Sequence, residues 1–215
     1  MSGTPTATDH AALRERSLAT LADLLSSRNR AILLAWATPR LDTPFSLTEL
    51  SRAVDIPVSS AQHECYKLER LGILQGKREG TSRRYRVMLD HPLTRPLIGL
   101  TIATLGLDEV LHDAVAETGE ITAAVIAGPS PRSTSPRLTL VIVGHLSLEG
   151  LVKAQERVAL LLGRTVDDLD LSYVQEGDWT ATHDLVTELE GRPLQPVFGS
   201  WPPPFHHDHG DKLNS

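Results

Sequence analysis

A single cysteine, Cys65, in a chain of 215 residues excludes an internal disulfide and any cage of several thiolates around a metal, and it fits a reducing compartment. Long apolar runs are also missing. Leu138 to Gly144 is among the longest, far short of the roughly 18 residues that a membrane-spanning helix needs. The N-terminus has no basic-then-apolar layout of a secretory signal, so a cytoplasmic location without membrane contact is expected. No nucleophile elbow, lysine-bearing phosphate loop, HExxH or paired-cysteine motif occurs, which leaves hydrolase and NTPase readings unsupported. No cofactor and no bound metal are expected. What is present is ordinary globular material: 40% hydrophobic and 22% charged residues argue against wholesale disorder, and the length accommodates either one large domain or two modest ones.

The net charge of −6 hides an asymmetry. Met1 to Asp90 carries 13 Lys and Arg against 10 Asp and Glu, a net of +3, whereas the remainder carries 8 against 17, a net of −9. Within the first part Lys67, Arg70, Lys77, Arg78, Arg83, Arg84 and Arg86 crowd together, opposed only by Glu69 and Glu79. Such a local excess attracts a polyanion even in an acidic protein.

Leu18, Leu21, Ala22 and Leu25 repeat at helical spacing, and Ile32, Leu33 and Trp36 do so again before Pro39. Ser46 and Glu49 form a capping box that opens a short helix through Ala53, with Leu50 and Ala53 inward. Asp55 and Pro57 then offer an N-cap region and a first-turn proline for another helix, whose buried face is Ala61, Cys65, Leu68 and Gly72. Its opposite face carries Ser59, Ser60, Gln62, His63, Tyr66 and Lys67, able to hydrogen-bond and free of negative charge. From Ile73 the period changes to two, with a turn at Glu79-Gly80-Thr81 and a returning strand that points Tyr85, Val87 and Leu89 inward and Arg84 and Arg86 outward. Two short helices followed by a basic hairpin predict a winged helix-turn-helix, its second helix suited to a major groove and its hairpin to phosphates.

The run SLTELSRAVDIPVSSAQHECYKLERLGILQGKREGTSRRYRV resembles ArsR-type winged-helix repressor domains, notably in the KLERLGIL step and the G-x-x-R-R-Y-R entry to the returning strand. The resemblance implies double-stranded DNA as a partner. Ser59, Ser60, Gln62 and His63 would lie near base edges, with Tyr66, Lys67 and Arg70 beside them and Lys77, Arg78, Arg83, Arg84 and Arg86 near the backbone. Each wing arginine that meets a phosphate is expected to add about one unit of salt dependence. Cys65 stands where such helices usually carry a core leucine, so packing explains it better than a redox switch.

Beyond the wing, a helix through Leu105 and another from Leu107 precede a strand at Ile121–Ala127, a loop at Gly128–Pro136, a strand at Leu138–Val143 and a helix over Leu148–Leu162. A strand at Leu169–Tyr173, a helix from Gly177-Asp178 containing Leu185 and Leu189, and an edge strand at Gln195–Phe198 complete a small mixed sheet with helices. The expected fold class is therefore α/β (α+β), with residues 1–90 a winged helix-turn-helix domain, 91–200 a second domain and 201–215 a flexible Pro/His-rich tail.

HPL, TLGLDEVL and ITAAVIAG are similar to the opening of a minimal nucleotidyltransferase-like (MNT) domain. In active members a Gly-Ser grips phosphate and a D-x-D holds magnesium. Here Gly128-Pro129-Ser130 removes an amide donor, and Arg137 and Thr139 occupy the positions of the two aspartates, so the resemblance implies a fold without transferase activity. Asp170 matches a further carboxylate, although a surface location explains Asp167, Asp168 and Asp170 more simply. Arg132 and Arg137 flank the loop and either bind a small anion or are ordinary loop residues. His206, His207, Asp208 and His209 are metal-ligand types in a tail expected to be loose. The leading expectation is a DNA-binding transcriptional regulator, a homodimer through Leu18–Leu25 and Leu97–Leu105, with a small-molecule effector or protein partner at the second domain. The alternative is a nucleotidyltransferase of toxin and antitoxin type.

Overall fold

The computed structural model describes residues 7–129, 136–181 and 183–205. The chain divides into two compact units, Met1–Val110 and Leu111–Ser215. The boundary lies beyond the expected residue 90 because the helix after the wing belongs to the first unit. Among the described residues no helix is long and apolar enough to cross a membrane.

In the first unit α1 (Ala7–Leu25) and α2 (Arg28–Ala37) precede a two-residue strand β1 (Phe45–Ser46), α3 (Leu47–Val54), α4 (Val58–Arg70), the hairpin β2 (Leu74–Glu79) and β3 (Ser82–Val87), and α5 (Thr94–Leu105). β3 is central, pairing antiparallel with β1 through Phe45 and Tyr85 and with β2 through Leu74 and Val87. Helix, short strand, two helices and a hairpin that closes on the short strand make a winged helix-turn-helix. Its core gathers Leu33, Phe45, Leu50, Ala61, Cys65, Leu68, Leu74 and Tyr85. Phe45 stacks edge-on against Trp36 and face-on against Tyr85, which fastens the sheet to α2.

α1 and α5 pack against each other and against α2. Leu21 is fully buried within the unit, so part of the apolar surface assigned to a dimer is used internally. Leu13 and Leu24 remain exposed. The capping box at Ser46 and Glu49 forms as read, with both reciprocal bonds made. Ala53 is exposed, and Val54 takes the inward place given to it. Asp55 ends α3 in a left-handed conformation instead of opening α4, and Pro57 is the N-cap residue. Gly72 lies past the end of α4 at φ +80, where a side chain would be strained, so it stops the helix rather than extending its buried face.

α6 (Leu107–Ala116) leads into a four-stranded sheet of order β6-β5-β4-β7, with β4 at Glu120–Ala127, β5 at Leu138–His145, β6 at Leu169–Gln175 and β7 at Leu194–Phe198. β5 runs antiparallel to β4 and parallel to β6, and α7 (Leu148–Leu161), which packs on β6, makes the crossover. β4 and β5 are buried on both faces, which explains their unbroken apolar sequences. One face holds Val125, Ala127, Val141 and Val143 against Trp179, Leu185 and Leu189.

The helix expected from Gly177 is reduced to α8 (Asp184–Glu188), because Trp179 turns inward and is almost fully buried. The tail is also corrected in its first part. Trp201 and Phe205 pack against Trp179, and the Trp179 indole donates to the Pro203 carbonyl at 3.1 Å. His206, His207, Asp208 and His209 lie outside the described residues, as do Ser130 and Arg132.

Candidate nucleic-acid interface

α4 is fixed from behind by a buried acid. Glu64, 4% exposed, sits between Ala61 and Leu68 on the inward face and accepts from Arg30 Nε at 2.9 Å, Ser27 Oγ at 3.2 Å and Lys67 Nζ at 3.5 Å. Burial pushes its carboxyl pKa up, but the Arg30 charge and hydrogen bond, with Lys67 and Ser27, outweigh this and hold it below the ordinary value. Ser27 also caps α2, so one hydroxyl joins the start of that helix to α4. Beside it the Cys65 thiol is fully buried and pushed up to about 12, mainly by desolvation, so it remains a protonated packing group.

The outward face of α4 presents Ser59, Gln62, His63 and Tyr66, all exposed, with Ser60 half-buried and Arg70 at the far end. Ser59, Gln62, His63 and Tyr66, with Leu47, Glu69, Arg83 and Tyr85, line an open groove of about 630 Å³ between α4 and the hairpin. Glu69 falls on this face, contrary to the expectation of a face without negative charge. Its spacing of three from Tyr66 and seven from Gln62 was the available signal.

The wing divides into two sets of cations. Arg83 pairs with Glu69 and lies over the Tyr85 ring at 5.6 Å, and Glu69 Oε1 also accepts from the Gly76 backbone at 3.1 Å. A Cβ at Gly76 would meet Arg83 Nε at 2.5 Å, so the absent side chain leaves room for this bridge. Arg84 is half-buried rather than outward. It donates to Glu49 Oε1 at 3.2 Å and to the Pro44 carbonyl at 2.6 Å, tying β3 to the start of α3. Arg83 and Arg84 are thus engaged within the protein, and Lys67 leans on Glu64. Lys77, Arg78 and Arg86 are exposed on the hairpin and, like Arg70, have no acidic partner among the described residues.

Neither a protein-family model nor a curated protein matches the chain. Among solved structures it is similar to the homodimeric winged helix-turn-helix DNA-binding domain (fragment 1–100) of a possible ArsR-family transcriptional regulator from Mycobacterium bovis. That similarity has 19% identity and a TM-score of 0.31, and covers 48% of this chain and 89% of that one. The winged-helix architecture described above stands on element order and strand register.

The second unit places the residues matched to a metal site at the ends of β4 and β5. Thr139 Oγ1 accepts from Arg192 Nη2 at 2.7 Å, and Arg192 Nε donates to the Gly128 carbonyl at 2.7 Å. Arg192 is nearly buried, 8% exposed. Arg137 pairs with Asp170 at 3.2 Å, and Asp170 lies in register with Thr139 on the neighbouring strand. Asp168 instead caps a short turn through the Thr165 amide and hydroxyl. Two guanidinium groups at this place do not fit magnesium, which needs a cluster of oxygen ligands and negative charge. Sequence reading missed Arg192, since nothing local in the sequence ties it to Thr139.

Proposed function

We propose that the chain is a sequence-specific DNA-binding transcriptional regulator. α4 enters the major groove and the hairpin lies along the phosphates. One observation carries this reading: an exposed row of hydrogen-bonding side chains, Ser59, Gln62, His63 and Tyr66, lines a groove against the hairpin that carries Lys77, Arg78 and Arg86, exposed cations with no acidic partner among the described residues. Gln62 reads a base edge and the exposed arginines hold the backbone, a division of labour that separates specificity from affinity. The regulator acts as a homodimer on half-sites about one helical turn apart, and the second unit receives an effector or a protein partner. It does not transfer nucleotides, a reading supported by Arg192 on Thr139 and Arg137 on Asp170. Selection of genomic fragments by the purified protein, followed by sequencing, should enrich a two-fold related motif. Failure to enrich any fragment over input would refute the proposal.

A further inference from the structure

Among the described residues that line the groove, Glu69 is the one acid, and its carboxylate works against a polyanion. It stands on the outward side of α4, yet it is only a quarter exposed because the hairpin folds over it. A single oxygen, Oε1, serves both the Arg83 guanidinium on β3 and the Gly76 amide on β2. Across the hairpin Arg83 stands directly opposite Arg78. Two like charges in that position repel each other, and Glu69 neutralises one of them. A duplex seated in the groove would therefore meet a carboxylate, which repels phosphate, and an arginine whose charge is already paired.

We propose that Glu69 is a built-in brake on nucleic-acid binding, holding Arg83 in an internal ion pair and so lowering the number of phosphates the wing can neutralise. The inference rests on the DNA-binding reading and deepens it. The brake leaves Lys77, Arg78 and Arg86 to supply the wing's backbone contacts. It also sets affinity at a level that one substitution can raise. Glu69→Gln keeps an amide oxygen for the Gly76 N–H while removing the charge, so the hairpin stays in place and Arg83 is released.

The test is fluorescence anisotropy of the full chain on a labelled 30-base-pair duplex of mixed sequence, titrated from 50 to 200 mM salt. Glu69→Gln should bind more tightly and steepen the plot of log affinity against log salt by about 0.9, the value of one added phosphate contact. Over that fourfold range the gain should be about 3.5 times larger at 50 mM than at 200 mM salt. Arg83→Ala should leave the wild-type slope nearly unchanged but abolish the extra unit in the Glu69→Gln background. Circular dichroism and a thermal melt on each variant establish that it is folded. A folded Glu69→Gln with wild-type slope and affinity, or a full unit lost on Arg83→Ala alone, overturns the brake while leaving the DNA-binding reading intact. If the wild-type protein ignores the duplex at 50 mM salt, the DNA-binding reading fails and the brake with it.

Discussion

Replacing Glu64 by glutamine removes one negative charge from beneath α4 and leaves the shape of the side chain almost unchanged. In the wild-type protein this carboxylate receives three donors, two of them cationic, from Ser27, Arg30 and Lys67. The amide oxygen still accepts from Ser27, so what is lost is the charge-assisted part of the Arg30 and Lys67 interactions, about 2 kcal/mol at pH 7. The sign of the pH dependence follows from the lowered pKa of Glu64. A carboxyl with a depressed folded value contributes its stability above the unfolded value of about 4.3 and loses it as pH falls through the folded one. The difference between wild type and Glu64→Gln should therefore be full at pH 7 and should close as the pH drops below about 4. Urea unfolding followed by circular dichroism at pH 7, 5, 4 and 3 reads this directly. With a slope of about 2 kcal/mol per molar, the midpoint gap at pH 7 is about 1 M. A gap that stays constant down to pH 3 would mean that the donor and acceptor pattern of the amide, not the carboxylate charge, sets the difference. One that widens in acid would refute the assigned direction.

Three further outcomes follow from named contacts. Single alanine substitutions at Lys77, Arg78 and Arg86 should each flatten the salt dependence of duplex binding by up to about 0.9, whereas Arg84→Ala should lower the melting temperature with little change in slope. Arg192→Met leaves the Gly128 carbonyl and the Thr139 hydroxyl without their donor and should cost the second unit about 2–4 kcal/mol, seen as a lowered melting temperature in calorimetry. Cys65 should resist iodoacetamide at pH 8 in the folded protein and react fully in urea, because its thiol is buried and its pKa is raised to about 12.

Much of the first unit was legible because its signals are local. The Ser46–Glu49 capping box, the Gly80 turn and the three-and-four spacing of Ala61, Cys65 and Leu68 each depend on residues close in sequence, and each formed. The errors arose where a charged side chain chose a distant partner. Arg84 was read as outward by strand alternation, yet Glu49 and Pro44 lie within its reach across β1. Glu64 sits on the apolar stripe of α4, which periodicity would forbid, and is tolerated because Arg30 arrives from α2. Glu69 and Arg83 are fourteen residues apart and meet only once the hairpin closes. The helix and the hairpin were therefore legible in the sequence, whereas the internal pairs that engage Arg83 and Arg84 were not.

The second unit shows the same division between backbone frame and side-chain chemistry. Its mixed sheet brings the start of β5 beside that of β6, so Thr139 and Asp170 face each other in register. A carboxylate at 139 would stand next to Asp170 and require a cation between them. Threonine removes that requirement, and Arg192, arriving from the segment before β7, supplies a fixed positive charge to carbonyl and hydroxyl oxygens at the end of β4. A guanidinium with its donors aimed at the Gly128 and Ala127 carbonyls also closes the sheet end by linking β4, β5 and the approach to β7. Building a metal site there would take a carboxylate in place of Thr139 and also removal of the arginine that satisfies those oxygens. Removing Arg192 alone leaves the buried Gly128 and Thr139 oxygens without their donor, and a carboxylate at 139 alone would pair with Arg192 instead of a cation, so neither single substitution makes a metal site.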